Sequence, residues 1–194
     1  MRGLGMTDDS GAEVDPVHLT EFYWALGTCL TAWQTVEFWL FMIFWRLTQY
    51  GDMELPSLMF NHIRAFDQRR VLVDRFAHAT LTDLPETLKR WESLHKRLTV
   101  CGSKRDRIVH YQIMRATDDS PRIRIEPPSW SYKLRWGPTK IGPRDDSHCL
   151  DAESLYAIKA EFILLSKDLE QLDDELEAAS EAIQNTIEKG PLPT

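Results

Sequence analysis

The feature that most constrains the fold is a long apolar stripe near the start of the chain. Its residues recur at alternating spacings of four and three, the periodicity of one face of an α-helix. The stripe predicts a helix of about seven turns that starts at Asp15-Pro16, with Asp as N-cap and Pro in the first turn, and ends near Gly51. The apolar residues of the stripe are Phe22, Leu26, Cys29, Trp33, Val36, Leu40, Ile43 and Leu47.

Three more helical segments follow. The pattern predicts a second helix from Pro56 to about Thr80, and a third from Asp83 past Ile108 with a break near residues 101–103. A last helix opens at Asp151 and keeps heptad spacing, which favours the core of a bundle over a free coiled-coil arm. Its apolar residues are Leu155, Ile158, Phe162, Leu165, Leu169, Leu172, Leu176, Ala179 and Ile183.

Between the third and last helices the apolar period changes to two. Residues 122–126 and 132–136 alternate apolar with charged side chains, which predicts a β-hairpin with a five-residue loop. The fold class is therefore all-α, a bundle of about four long helices with one hairpin inserted before the last. Residues 1–14 are expected to form a flexible tail, and residues 15–190 a single domain in which residues 116–149 are the insertion.

Residues 22–45 are apolar enough to raise the question of membrane insertion. Glu37 lies inside this run, and an acidic side chain near the bilayer centre costs roughly 2.5–3.5 kcal/mol on insertion scales. The sequence therefore predicts a buried helix of a soluble protein. We expect burial in the core, or in a dimer interface, for the Trp-rich part of this helix.

The cysteine content favours a reducing compartment. Cys29, Cys101 and Cys149 are far apart and form no C-x-x-C pair. This pattern argues against a disulfide framework and against a zinc ribbon. We therefore expect a cytoplasmic protein.

The net charge of −7 hides a strong partition along the chain. Residues 86–115 carry eight Lys and Arg against three acids, whereas residues 151–189 carry three Lys against eleven acids. The basic segment is able to attract a polyanion such as RNA. Alternatively, the two segments face each other and neutralise their charges.

One segment, from Lys104 to Tyr111, combines cations with an acid and a histidine. Asp106 and His110 are four residues apart, so the carboxylate is placed to orient the imidazole. Arg105 lies about 140° around a helix from His110. It must therefore reach across with its long side chain, lie on a distorted turn, or serve a partner subunit. The sequence has no zinc-binding, phosphate-loop or nucleophile-elbow motif, and we expect no metal and no cofactor.

The residues Arg105-Asp106-x-x-x-His110 resemble the signature of HEPN domains, which is Arg, a polar residue, and then His four to six residues after the Arg. HEPN domains are helical bundles of about this size with the motif on a late helix. The resemblance covers roughly residues 17–115 and 150–187. An acid in an early helix also recurs in the family, and Glu37 is the corresponding residue here. Tyr111 stands where a small residue is frequent.

The resemblance implies a metal-independent endoribonuclease that acts as a homodimer and leaves 2′,3′-cyclic phosphate ends, as a toxin or defence effector. Arg105, Asp106 and His110 would be its catalytic residues, with Glu37 and Tyr111 in support. We expect the Glu37 carboxylate to pair with Arg105 or His110, because a buried acid needs a partner. The residues expected to hold RNA phosphates are Lys104, Arg107, Arg122, Arg124, Lys133 and Arg135.

A second hypothesis has no catalysis. Some HEPN-like bundles are accessory modules, and this one would then partner a nucleotidyltransferase or an antitoxin. Arg105, Asp106 and His110 would form a structural network at a helix junction or a dimer seam.

Overall fold

The computed structural model describes residues 16–49, 51–115, 123–126 and 149–188, with backbone alone at residues 114–115, 126 and 182–188. The predicted tail and the predicted N-cap Asp15 lie outside the described residues. The described part is mainly helical, as predicted. Its elements are α1 (Pro16–Thr48), α2 (Glu54–His62), α3 (Phe66–Thr80), α4 (Pro85–His110), β1 (Gln112–Arg115), β2 (Ile123–Glu126) and α5 (Ala152–Glu188).

The chain divides into two compact units. We name the first the hairpin unit, which consists of Met1–Leu30 and Arg105–Ile158. We name the second the bundle unit, which consists of Thr31–Lys104 and Lys159–Thr194. The hairpin unit contains both strands and the last turns of α4. The bundle unit contains α2, α3 and the larger parts of α1, α4 and α5.

Helix α1 confirms the predicted stripe. Seven of the eight residues are buried, and only Leu26 is half-buried. Phe44 lies off the stripe and is also fully buried, because Phe60 and Phe76 contact its ring at centroid distances of 5.7 and 5.1 Å. In the bundle unit, α1 is thus covered on more than one side, as its second apolar face requires. Among the described residues, no helix has the length and apolar character needed to cross a membrane.

The prediction of one helix over residues 56–80 is wrong, because this segment forms α2 and α3. The backbone is extended at Ile63 and at Ala65, with ψ values of 116° and 128°. The Ile63 carbonyl, which has no helical partner, accepts a hydrogen bond of 2.7 Å from Nε of Arg69. The bend also brings Phe66 edge-on to Trp33, with ring centroids 4.7 Å apart.

The break predicted near residues 101–103 is also wrong, since α4 is helical throughout Pro85–His110. Gly102 serves close packing here. A Cβ at this position would lie 2.8 Å from Cε1 of Phe66, nearer than packed atoms allow. The glycine therefore admits the Phe66 ring to the surface of α4 instead of ending the helix.

Helix α5 begins where the sequence predicts. Oδ1 of Asp151 accepts hydrogen bonds from the backbone amide and the hydroxyl of Ser154, at 2.8 and 2.6 Å, which is an N-cap arrangement. The heptad stripe is buried from Leu155 to Leu176. Within the bundle unit, Phe162 packs against Trp33 at a centroid distance of 4.9 Å, so this part of the stripe is bundle core.

The strand at residues 123–126 confirms part of the predicted hairpin, but its partner differs. β2 pairs antiparallel with β1, in a register that runs from Gln112 opposite Glu126 to Arg115 opposite Ile123. On the other edge, Ile125 exchanges two backbone hydrogen bonds with Leu150, at 2.8 and 3.0 Å. Both edges of β2 are therefore occupied at Ile125. The predicted second strand, residues 132–136, lies outside the described residues.

Candidate functional site

The last turns of α4 carry the motif singled out in the sequence. Helical geometry is regular through His110, so the distorted turn considered for Arg105 is absent. The side chain of His110 is exposed, and Arg105 is about one quarter exposed, at 27%. Five residues of regular helix separate them by about 7.5 Å along the axis and about 140° around it. Within one chain, the guanidinium and the imidazole therefore leave α4 in different directions.

The carboxylate of Asp106 lies against Arg105 instead of His110. Nη1 of Arg105 donates a hydrogen bond of 3.1 Å to Oδ1 of Asp106. No hydrogen bond joins Asp106 to His110 among the described residues, so the predicted orientation of the imidazole by Asp106 is not present. Nε of Arg105 is buried and has no hydrogen-bond partner within the described part of the chain. The guanidinium thus keeps an unused donor.

Arg107 and Tyr111 form a second pair in this segment. The guanidinium of Arg107 lies 5.9 Å from the centroid of the Tyr111 ring, within the range of a cation–π contact. The amide of Tyr111 also donates to the Arg107 carbonyl, at 3.1 Å. Tyr111 therefore contacts a cation of this segment, and the supporting role predicted for it at the catalytic site stays a prediction.

Lys104 has a different environment from the cations that follow it. Its ammonium group pairs with both carboxylate oxygens of Glu161 on α5. It is the last member of a ladder of ion pairs between α4 and α5, all in the bundle unit. Arg97 and Arg90 lie seven and fourteen residues before Lys104 on α4. Their partners lie seven and fourteen residues after Glu161 on α5. These pairs are Lys104–Glu161, Arg97–Asp168 and Arg90–Glu175.

For these three cations, the ladder shows that the acidic segment, and not a polyanion, is the partner of the basic segment in this structure. Because α4 numbers rise while α5 numbers fall, the two helices are antiparallel. The basic and acidic segments neutralise each other here, as one of the two interpretations predicted. Arg90 also donates to the side-chain oxygen of Gln171, at 2.9 Å. Lys104 would have to exchange Glu161 for a phosphate in order to bind RNA, and its predicted RNA-binding role stays a prediction.

Glu37 has a partner, but not the predicted one. Its Oε2 accepts from Nη1 of Arg69 at 3.1 Å, and its Oε1 accepts from the indole nitrogen of Trp33 at 2.6 Å. The expectation that Arg105 or His110 would satisfy this carboxylate is therefore wrong. Since Arg69 also binds the carbonyl at the bend between α2 and α3, Glu37 fixes that bend within the bundle unit.

The remaining predicted RNA-binding residues stand between α4 and α5 in the sequence. Arg124 lies in β2 and is half-buried. Arg122, Lys133 and Arg135 lie outside the described residues.

Sequence reasoning missed a cluster between α3 and α4 in the bundle unit. Oδ1 of Asp74 lies 3.0 Å from the indole nitrogen of Trp91, 3.4 Å from Nδ1 of His95 and 3.7 Å from Nε2 of His78. Nη1 of Arg70 contacts the other ring nitrogen of His95. Asp74 and His78 are spaced by four residues, as are Trp91 and His95. These spacings are visible in the sequence, but their convergence across two helices is not.

An ion pair with a buried carboxylate, that of Asp173, joins α1 to α5 in the bundle unit. Nε of Arg46 lies 3.5 Å from Oδ1 of Asp173, and Nη2 of Arg46 lies 2.7 Å from Glu177. Burial raises the pKa of the Asp173 carboxyl, and the charge of Arg46 works against that rise. This pair is part of the core and not of a site.

No set of three or more His, Cys, Asp or Glu side chains in the described ranges is arranged to hold a metal ion. A comparison with protein-family models, with curated proteins and with solved structures finds no match for this chain.

Proposed function

We propose that the protein is a metal-independent endoribonuclease with Arg105 and His110 as its catalytic residues. The proposal rests on the HEPN-like motif and on one structural observation. The end of α4 presents an exposed imidazole and, five residues earlier, a guanidinium that is about one quarter exposed and bonded to its neighbour Asp106. The cations of the ladder, in contrast, are held by carboxylates of α5.

The chemistry needs a proton carrier and a stabiliser of negative charge. The 2′-hydroxyl of RNA attacks the adjacent phosphorus, the bond to O5′ breaks, and the products are a 2′,3′-cyclic phosphate and a 5′-hydroxyl. Histidine accepts and releases protons near neutral pH, so His110 takes the proton of the 2′-hydroxyl or supplies one to O5′. Arg105 stabilises the charge that develops on the phosphoryl oxygens.

Asp106 has a different task in this proposal from the one the sequence suggests. Its carboxylate bonds to Nη1 of Arg105 and so restricts the guanidinium. It is therefore a positioning residue for Arg105 and does not act on the imidazole.

The separation of Arg105 and His110 on α4 favours a site shared between two copies. A guanidinium and an imidazole about 140° apart on one helix do not readily contact the same phosphate. Arg105 of one copy and His110 of a second copy, brought together in a homodimer, avoid this difficulty. The proposal therefore includes a dimer as the active form.

A second candidate function is a non-catalytic interaction module that binds a nucleotidyltransferase or an antitoxin. The exposed apolar side chains of the hairpin unit favour it. Val17 and Trp24, which are exposed by 69% and 67%, line one pocket together with Tyr156. Large exposed apolar groups that lie together mark surfaces that bind other proteins.

The decisive experiment is cleavage of a panel of RNAs in the presence of EDTA. We expect products with cyclic phosphate ends, and a loss of about 100-fold or more for Arg105→Ala and for His110→Ala. Arg97→Ala and His62→Ala are the matched controls, since they remove the same residue types elsewhere, and they should cleave like the wild type.

Mixing the two inactive variants tests the shared site. A heterodimer of Arg105→Ala with His110→Ala retains one intact pair, so the mixture should recover cleavage that neither variant has alone. If the wild type is a folded dimer and cleaves no RNA of the panel, the ribonuclease proposal fails and the interaction module is favoured. A monomeric wild type that cleaves RNA would contradict the shared site.

A further inference from the structure

The cluster between α3 and α4 contains a contact that depends on the protonation of one histidine. Nη1 of Arg70 and Nε2 of His95 form a hydrogen bond across the two helices. A guanidinium is only a donor, so Nε2 must be the acceptor and carries no proton. A protonated imidazole has a proton on both nitrogens. The contact is therefore compatible only with neutral His95.

The second nitrogen of His95 fits the same assignment. Nδ1 lies 3.4 Å from Oδ1 of Asp74, a carboxylate that accepts and does not donate. The ring of Trp91 stacks on His95 with centroids 5.7 Å apart and planes 22° apart, which fixes the orientation of the imidazole. The donor and acceptor pattern thus places the single proton on Nδ1.

Within the described part of the chain, three ionisable groups act on His95, and all three come from α3. They are Arg70 at Nε2, Asp74 at Nδ1, and His78, whose Nε2 lies 3.7 Å from the same Asp74 oxygen. If His95 takes up a proton, the Arg70 contact becomes a contact between two cations. Each cation then has another partner, since Asp74 remains beside His95 and the carboxylate of Asp67 lies 3.4 Å from Nε of Arg70.

We propose that the Arg70–His95 hydrogen bond is an acid-sensitive contact between α3 and α4, present while His95 is neutral and lost on proton uptake at Nε2, which leaves Asp74 as the partner of His95 on α3. This contact involves none of the residues assigned to RNA cleavage. It would make the packing of α3 on α4 in the bundle unit depend on pH.

The direction of the pKa change agrees with this geometry. Burial lowers the pKa of His95 below its ordinary value of 6.5; Asp74 acts to raise it, and Arg70 and His78 act to lower it. The folded state therefore binds this proton less tightly than the unfolded chain does. The stabilisation that comes from keeping His95 neutral is complete above the ordinary pKa. It is lost as the pH falls from there through the pKa of the folded state.

The test combines nitrogen NMR of the imidazole with unfolding at several pH values. At pH 7.5 we expect Nδ1 of His95 to be protonated and Nε2 to be bare. Arg70→Gln removes a cation, so the pH at which His95 titrates should rise. The free energy of unfolding of the wild type should fall between pH 7.5 and pH 5. His95→Gln should reduce the slope of this fall by an amount that corresponds to at most about one proton.

His62→Gln is the matched control, because it removes an exposed histidine of α2 and should keep the pH dependence of the wild type. The proposal is overturned if Nε2 of His95 carries a proton at pH 7.5, or if Arg70→Gln leaves the His95 titration unchanged or lowers it. If Arg70→Gln does not fold, the protonation state of the His95 imidazole in the wild type still tests the proposal.

Discussion

The two units of this protein use the same kinds of side chain in different ways. In the bundle unit, three cations of α4 meet carboxylates of α5 at every second turn, and aromatic residues such as Trp91 and Phe162 are fully buried. In the hairpin unit, Arg105 is bonded to its neighbour in sequence, His110 is exposed, and Trp24 projects into solvent. A basic or aromatic residue is therefore informative about function only after its partners are known.

The largest expected effect comes from comparing one aromatic residue in each unit. Phe162→Ala should lower the free energy of unfolding by about 3–5 kcal/mol, because the fully buried ring packs on Trp33 and leaves a cavity. Trp24→Ala should change it by no more than about 0.5 kcal/mol, because two thirds of that side chain is exposed. Urea unfolding followed by circular dichroism measures both. A large loss for Trp24→Ala would contradict the contrast between the units.

Two helical glycines, one in each unit, allow the packing of the two units to be compared by adding a single methyl group. Gly102→Ala places a Cβ 2.8 Å from the buried Phe66 ring, and overpacking of this kind costs about 1–3 kcal/mol. Gly27→Ala on α1 meets nothing within 4 Å and should stabilise the helix by up to about 1 kcal/mol. Thermal unfolding should therefore shift in opposite directions. A stabilising shift for both variants would show that the packing of Gly102 is not tight, and a destabilising shift for both would contradict the open space beside Gly27.

The smallest expected effect concerns the ladder. Arg97 and Asp168 are both more than one third exposed, so solvent and salt screen their attraction. A double-mutant cycle with Arg97→Ala and Asp168→Ala should give a coupling of about 0.2–1 kcal/mol that declines at high salt. The exchange of Arg97→Asp with Asp168→Arg should restore most of the coupling. A coupling that is absent at low salt would mean that the ladder neutralises charge without adding stability.

The fold could be predicted where periodicity is long and uninterrupted. Helices α1 and α5 each repeat an apolar stripe over many turns, and the structure confirms their faces. The bend between α2 and α3 could not be predicted, because no Gly or Pro marks it and the apolar spacing continues through Ile63 and Phe66. A side chain of the following helix, Arg69, holds it open. The break predicted near Gly102 is wrong because this glycine makes room for the ring of Phe66, a residue distant in the sequence, and does not end the helix.

The candidate site could be predicted only as far as its local sequence. The motif at Arg105 and His110 lies within two turns of helix, so its residues could be found by spacing. The partners of Glu37 and Lys104 could not, because Arg69 and Glu161 are 32 and 57 residues away along the chain. The cluster around Asp74 was missed for the same reason. Side chains from distant segments decide which charges remain available.

A seam that repeats every seven residues does not by itself select one alignment of its helices. Sliding α4 by one heptad along α5, about 10.5 Å, would again set cations opposite carboxylates and lose only one ion pair of the three. Contacts that occur once must therefore make the choice. The Gly102–Phe66 approach aligns α4 with α3, and the Arg46–Asp173 pair aligns α5 with α1. The repeated ion pairs hold the helices of the bundle unit together, and contacts that occur once, such as these two, set their register.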